Sequence, residues 1–329
     1  MSNPHSAHAA SLPSSSATLT GIAYGAGAGA LWGLVFLAPE LVQQFGPLEF
    51  TVGRYLCFGI LALALMMPRW HRVSAQLFVQ HWRRLAWLAF TGNTFYYILL
   101  VSAVRTGGIA TTTLVLGFLP VAVTIIGSRD DGAVPLEKLR FSLLLCALGM
   151  ICIGAGAFED AGGRTVSQRL IGLLCALTAL ASWTIFAVGN ARDLAKLQSL
   201  TAHDWNLLTG LMTGAQSLVL LPVVLLVTPL GDHSGVEWAR FAAVSAGLAI
   251  VASVVGYALW NRASQLLPLT LIGQMILFET LFALLYGLLW EQRLPTLLEV
   301  TALVFVTMGV LTCLAAHRRP APQAQTDDG

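Results

Sequence analysis

Glu279 stands near the centre of an apolar run that extends from Gln274 to Glu291 and reads as a helix hydrophobic on all sides. Continued back to about residue 268, the run is roughly 20 residues long, enough to cross a bilayer core of about 30 Å. A carboxylate at that depth costs a few kcal/mol even on the gentlest scale, so it needs a partner or a watery cavity. Its helical neighbours are Met275, Ile276, Phe282, Ala283 and Tyr286, of which only Tyr286 carries a polar atom. Relief must therefore come from another helix, from water or from a bound solute. One reading makes Glu279 a proton-coupling carboxylate or the anchor for an amine. The other makes it the structural partner of Arg54, the other ionisable residue well inside an apolar run.

Arg54 lies about two turns into its run, where a long side chain reaches toward the interface and Glu49 is placed to help neutralise it. That pattern favours a structural intramembrane charge. Trp32 and Trp183 sit mid-run, away from the interfacial belt, so each needs its N–H satisfied inside the bundle. Helix packing explains such a pair about as well as a cavity lining does. Asn93, Tyr96 and Tyr97 fall at i, i+3 and i+4, one helical face with a polar edge. With Tyr257, they complete the candidates for a solute pathway. Pro120 and Pro222 interrupt apolar runs and free backbone carbonyls there, a common feature of membrane helices. Gly25, Gly27, Gly29 and Gly33 permit close helix approach, and no strand precedes them to make a phosphate loop.

The elements that must position these residues follow from composition. The chain is 56% apolar and only 10% charged, with a mean hydropathy of +0.74, which excludes a soluble globular domain. A net charge of +2 gives no nucleic-acid footprint. The five cysteines lie inside apolar runs with no Cys-x-x-Cys spacing, and all seven histidines lie in tails or connections. Neither a disulfide framework nor a metal site is expected, and nothing calls for a cofactor.

Ten runs between the charged punctuation are long enough to span, at about 21–39, 48–68, 85–104, 107–127, 139–158, 170–190, 205–228, 240–260, 268–290 and 297–316. The expected fold is thus all-α, with short connections and no soluble domain. Residues 1–20 are Ser- and Ala-rich without Lys or Arg, and read as a disordered tail before an uncleaved first span. Residues 318–329 form a second tail. With the N-terminus inside, twelve Lys and Arg fall on the cytoplasmic side and six on the other, which puts both termini in the cytoplasm.

The chain also repeats itself. Gly21 and Trp32 recur as Gly172 and Trp183 at an offset of 151. From the third run the offset is 160, matching Tyr97 with Tyr257, Phe118 with Phe278, Gly127 with Gly287, Pro135 with Pro295 and Gly149 with Gly309. Five spans per copy is an odd number, so residues 168–317 must enter the membrane from the side opposite to residues 21–158. Such an inverted-topology repeat suits alternating access around a central site.

Several motifs carry a resemblance. The first run holds Gly25-x-x-x-Gly29-Ala-Leu-Trp32-Gly, the second Arg54, the fourth Leu119-Pro120-Val121 and the sixth Gly172…Trp183. Tyr257-Ala-Leu-Trp260 and the Glu291 that closes the ninth complete the set. Over about 21–317 the chain resembles the EamA-type transporters of the drug/metabolite transporter superfamily. The resemblance implies ten helices in an inner, cytoplasmic membrane, a small-molecule solute such as an amino acid, amine or drug-like metabolite, and movement that is often outward. It leaves the oligomeric state open between monomer and homodimer. Members commonly carry a proline in the ninth span, where this chain has Phe278-Glu279-Thr280. A membrane enzyme acting on lipid or isoprenoid is the alternative, with Asp130-Asp131 as its sole acidic pair in a connection.

Overall fold

Uninterrupted apolar sequence leaves backbone polar groups nowhere to turn but to each other, and in a bilayer that dictates helices. The computed structural model describes residues 15–77, 79–127, 136–156, 163–196, 200–227, 233–267 and 269–316, and among them there are helices and no strand. In chain order they are α1 (Ser15–Leu41), α2 (Pro47–Met66), α3 (Trp70–Ser74), α4 (Val79–Ala89), α5 (Phe95–Gly107), α6 (Ile109–Leu116), α7 (Leu119–Gly127) and α8 (Leu136–Gly156). They continue as α9 (Val166–Lys196), α10 (Ala202–Val227), α11 (Gly235–Ile250), α12 (Tyr257–Leu266), α13 (Leu269–Glu291) and α14 (Leu297–Ala316).

Six helical stretches among the described residues are long and apolar enough to cross a membrane: Thr18–Leu41, Pro47–Ser74, His81–Gly107, Val166–Asn190, Ala202–Val227 and Gly235–Ala263. Shorter apolar helices occupy Ile109–Val123 and Leu297–Thr312. Two of the long stretches are joined through π-turns, at Phe90–Thr94 between α4 and α5 and at Val251–Gly256 between α11 and α12. The fourth expected span is broken into α6 and α7 around Gly117 and Phe118, just before Pro120, whose missing N–H cannot continue the helix. No such break occurs in α13, in keeping with Phe278-Glu279-Thr280 in place of a proline. Large apolar side chains such as Ile60, Ile151, Leu174, Val219 and Leu226 stand exposed around the outside, as a lipid-facing surface requires.

One expectation is corrected. The stretch 1–20 was to be a disordered tail, yet α1 begins at Ser15. Ser, Ala, Thr and Leu at 15–20 contain no Gly or Pro, so they extend a helix that the apolar run has already nucleated. Residues 1–14, the tail 318–329, the acidic pair Asp130-Asp131 and the repeat proline Pro135 lie outside the described residues.

The main packing pairs run between the two halves of the chain. α1 packs on α13 and α12, α2 on α10 and α11, α5 on α9, and α8 on α14. Close backbone approach makes two of these seams possible. A Cβ on Gly59 of α2 would stand 2.6 Å from the Cα of Gly214 of α10, and one on Gly29 of α1 would stand 2.8 Å from the backbone N of Glu279. Small residues at such crossings let dispersion act over the full helix length, the main glue available where lipid is as apolar as leucine. Ion pairs tie the ends. Arg69 meets Asp204 at 3.0 Å and Arg84 grips Asp193 through both oxygens at 3.0 and 3.1 Å. At the other end of α13, Arg293 joins Glu291 at 2.7 Å and Glu299 at 2.5 Å.

Candidate functional site

The two π-turns decide where the tyrosines fall. Each adds a residue to one helical turn, as the bond from the Phe95 N–H back to the Phe90 carbonyl records, and this frees carbonyls and rotates everything downstream. In the second turn the Ala252 carbonyl accepts from Trp32 Nε1 at 3.0 Å. In the first, the Thr91 carbonyl accepts from Ser182 Oγ at 2.7 Å. Thus α1 reaches into the turn of the second half, while α9 reaches into the turn of the first.

Trp32 is anchored by that bond and meets Tyr257 edge-on at 5.6 Å and Trp260 at 5.3 Å between ring centroids. Tyr257 lies within electrostatic reach of Glu279 and of Tyr55. Tyr96 lies within reach of Glu279, of Tyr55 and of Arg54. The structure therefore gathers Glu279, Tyr96, Tyr257 and, through Tyr257, Trp32. It adds Tyr55, which sequence reasoning missed. The only signal for Tyr55 was its place beside Arg54.

The remaining candidates are placed differently. Asn93 donates to Thr213 Oγ1 of α10 at 2.9 Å, and its neighbour Thr94 donates to Gln216 Oε1 at 2.6 Å, so this polar edge of the π-turn is spent on helix packing. Trp183 meets Phe186 edge-on at 5.7 Å, and among the described residues its indole N–H makes no bond like that of Trp32. Tyr97 has no exposed surface. It meets Tyr55 edge-on at 5.7 Å between ring centroids.

Arg54 departs from what its position suggested. It neither reaches the interface nor pairs with Glu49, and only 6% of its surface is exposed. Glu49 Oε2 instead caps its own helix by accepting from the Gly46 N–H. The guanidinium lies 3.9 Å from the ring centroid of Tyr97 and 4.9 Å from that of Tyr55. Stacking of this kind supplies about 2 kcal/mol per ring when desolvated. Arg54 Nε and Nη1 are buried without a hydrogen-bond partner. Each unmet donor costs about 1–3 kcal/mol, and more when charged, so the two rings do not offset the burial by themselves.

Glu279 is the second unanswered charge. Among the described residues its carboxylate accepts no hydrogen bond and meets no cation, and it keeps part of its surface accessible. Tyr286, its one polar helical neighbour, sends its hydroxyl to the Ala30 carbonyl at 3.2 Å. Glu279 and Arg54 are not an ion pair; Tyr96 stands within reach of both. A separate cavity of about 290 Å³ lies at the Glu291 end of α13, lined by Arg164, Arg293 and Glu299 among others, and it does not include the cluster. No group of three or more His, Cys, Asp or Glu able to hold a metal occurs among the described residues.

The pattern of the EamA-like transporter family matches twice, over residues 19–156 and 170–315. The chain is 30% identical over 315 residues to the inner membrane protein YtfF of Escherichia coli (strain K12), covering 91% of this chain and 96% of that one. It is 24% identical over 281 residues to the uncharacterized transporter YdeK of Bacillus subtilis (strain 168), covering 84% and 89% respectively. A solved crystal structure superposes with a TM-score of 0.58 at 20% identity over 93% of this chain and 99% of its own, a likeness of fold alone. The chain is a multi-pass membrane protein that belongs to the EamA-like transporter family, within the drug/metabolite transporter superfamily.

Proposed function

We propose that the protein is a secondary transporter in which Glu279 exchanges a proton while a small organic solute crosses the bilayer by alternating access. The observation that carries this reading is the carboxylate of Glu279. It sits mid-helix, partly accessible, within reach of Tyr96 and Tyr257, and is tied to nothing among the described residues. A structural charge would be held by a cation or by donors; a working one must be free to change partners.

The rest of the proposal follows from the repeat. Ten spans, five in each inverted copy, put the solute at the interface between copies, near the midplane. Glu279, Tyr257 and Trp32 come from both copies, as does the α1–α13 seam that sets how closely the backbone at Glu279 approaches α1. The distribution of Lys and Arg supports both termini in the cytoplasm, and the solute is an amino acid, amine or drug-like metabolite moved outward. The first test is solute uptake by reconstituted vesicles at pH 5.5 to 8.5, comparing wild type with Glu279→Gln. The variant is expected to lose at least tenfold in rate and to respond to pH no more than empty vesicles do. An unaltered rate and pH profile would rule the coupling role out.

A further inference from the structure

We propose that Arg54 is the anion-binding half of the solute site and takes a carboxylate of the transported molecule. The inference rests on the transport reading above and assigns Arg54 a role other than a structural one. A guanidinium held at 6% exposure among three tyrosines needs a counter-charge, and among the described residues none stands against it. Glu49, five residues earlier, has one oxygen on the Gly46 N–H and the other buried without a partner. Glu40 and Glu49 instead lie within electrostatic reach of Arg105, whose Nη2 donates to the Val42 carbonyl at 3.0 Å. Glu279 does not pair with Arg54 either. The guanidinium carbon stands over the Tyr97 ring, 3.9 Å from its centroid, while Nε and Nη1 keep their hydrogens unused.

That geometry selects the ligand chemistry. A planar guanidinium offers the two oxygens of a carboxylate a pair of N–H donors along either edge, Nε with Nη2 or Nη1 with Nη2, and each edge holds one of the two unused donors. One cation balances one negative charge, and Glu279 in the same cluster disfavours a dianion such as a phosphate monoester. Tyr96 stands within electrostatic reach of both charges. Arg54 and Tyr55 come from α2 and Tyr96 and Tyr97 from α5, whereas Glu279 comes from α13. A solute whose carboxylate sits on Arg54 and whose other end reaches Glu279 would join elements of the two halves, as a solute must when it biases one state over another.

The test uses the full-length protein in detergent and reads melting temperature, with no flux measurement. The probes are L-leucine, L-phenylalanine, L-threonine and benzoate, each compared with its carboxamide. At least one acid is expected to raise the melting temperature saturably by several degrees, with its amide giving less than a tenth of the affinity. Arg54→Met should lose that shift, and Arg54→Lys should retain part of it. Equal shifts by acid and amide, no shift by any of the four acids, or a full shift in Arg54→Met would overturn the proposal. The acid–amide contrast is read on the wild type, so it stands even if a variant does not fold. Loss of acid binding with a Glu279-dependent pH profile intact would sink this inference alone, whereas acid binding without any flux would sink the transport reading alone.

Discussion

At the scale of single residues, the site is defined by which side chains are satisfied and which are left waiting. Trp32 is satisfied. Its indole N–H meets a carbonyl that exists as a free acceptor only because the helix takes a π-turn at Val251–Gly256. Trp32→Phe should therefore cost about 0.6–1.5 kcal/mol, lower the melting temperature by about 2 °C and weaken solute binding, because Tyr257 packs on that anchored ring. A melting temperature and affinity equal to wild type would mean that the indole bond holds nothing in place. Tyr96 and Tyr97 illustrate how far sequence carries. Their adjacency to a polar edge was legible as one helical face, but the π-turn at Phe90–Thr94 spends Asn93 on α10, and burial sends Tyr97 beneath Arg54. Replacing the buried Tyr97 by Phe keeps the ring under the guanidinium and should be mild. Replacement by Leu removes the stack and should weaken carboxylate binding at least tenfold. Equal binding by both variants would contradict that division.

At the scale of elements, the α1–α13 seam sets how closely the backbone at Glu279 approaches α1. Its glycines were legible as a packing stripe, though not which helix they face. Gly25 meets Met275, Gly29 meets Phe278 and Glu279, and Gly33 meets Ala283, all on α13, while Gly27 points to Leu259. A side chain at Gly29 would begin 2.7 Å from Phe278 Cβ, where the backbone leaves no room. Gly29→Val should cost about 1–3 kcal/mol by overpacking and displace Glu279 enough to abolish transport. Gly27→Ala, whose Cβ would meet only the Leu259 side-chain end at 3.3 Å, should fold and transport almost normally. Similar behaviour of the two variants would remove the seam from the mechanism. Six of the apolar runs were placed from sequence close to where the long helices stand, because bilayer thickness fixes their length. The π-turns were not, because a single inserted residue leaves hydropathy unchanged, and the break between α6 and α7 showed in advance only as Pro120.

At the scale of the whole molecule, the chain is built as two copies that hold each other, with α1 on α12 and α13 answered by α9 on α5, α6 and α7. The family match falls in the same two stretches, 19–156 and 170–315. That internal symmetry was legible in the spacing of Trp, Tyr, Gly and Pro. The unanswered state of Arg54 was not, since Glu49 stood close enough in sequence to suggest a pair. The proposed ten spans with both termini in the cytoplasm predict that a green fluorescent protein fused after Gly329 fluoresces while alkaline phosphatase fused there is inactive; the reverse would invert the orientation. The account as a whole turns on whether Glu279 carries a proton with the solute. The direct measurement is proton movement in reconstituted vesicles loaded with pyranine, driven only by an imposed gradient of a solute that binds. Wild type should acidify or alkalinise the lumen in step with solute flux. Glu279→Asp should retain part of that signal, and Glu279→Gln should lose it. Proton movement that persists undiminished in Glu279→Gln, at the same ratio to solute, would contradict the account.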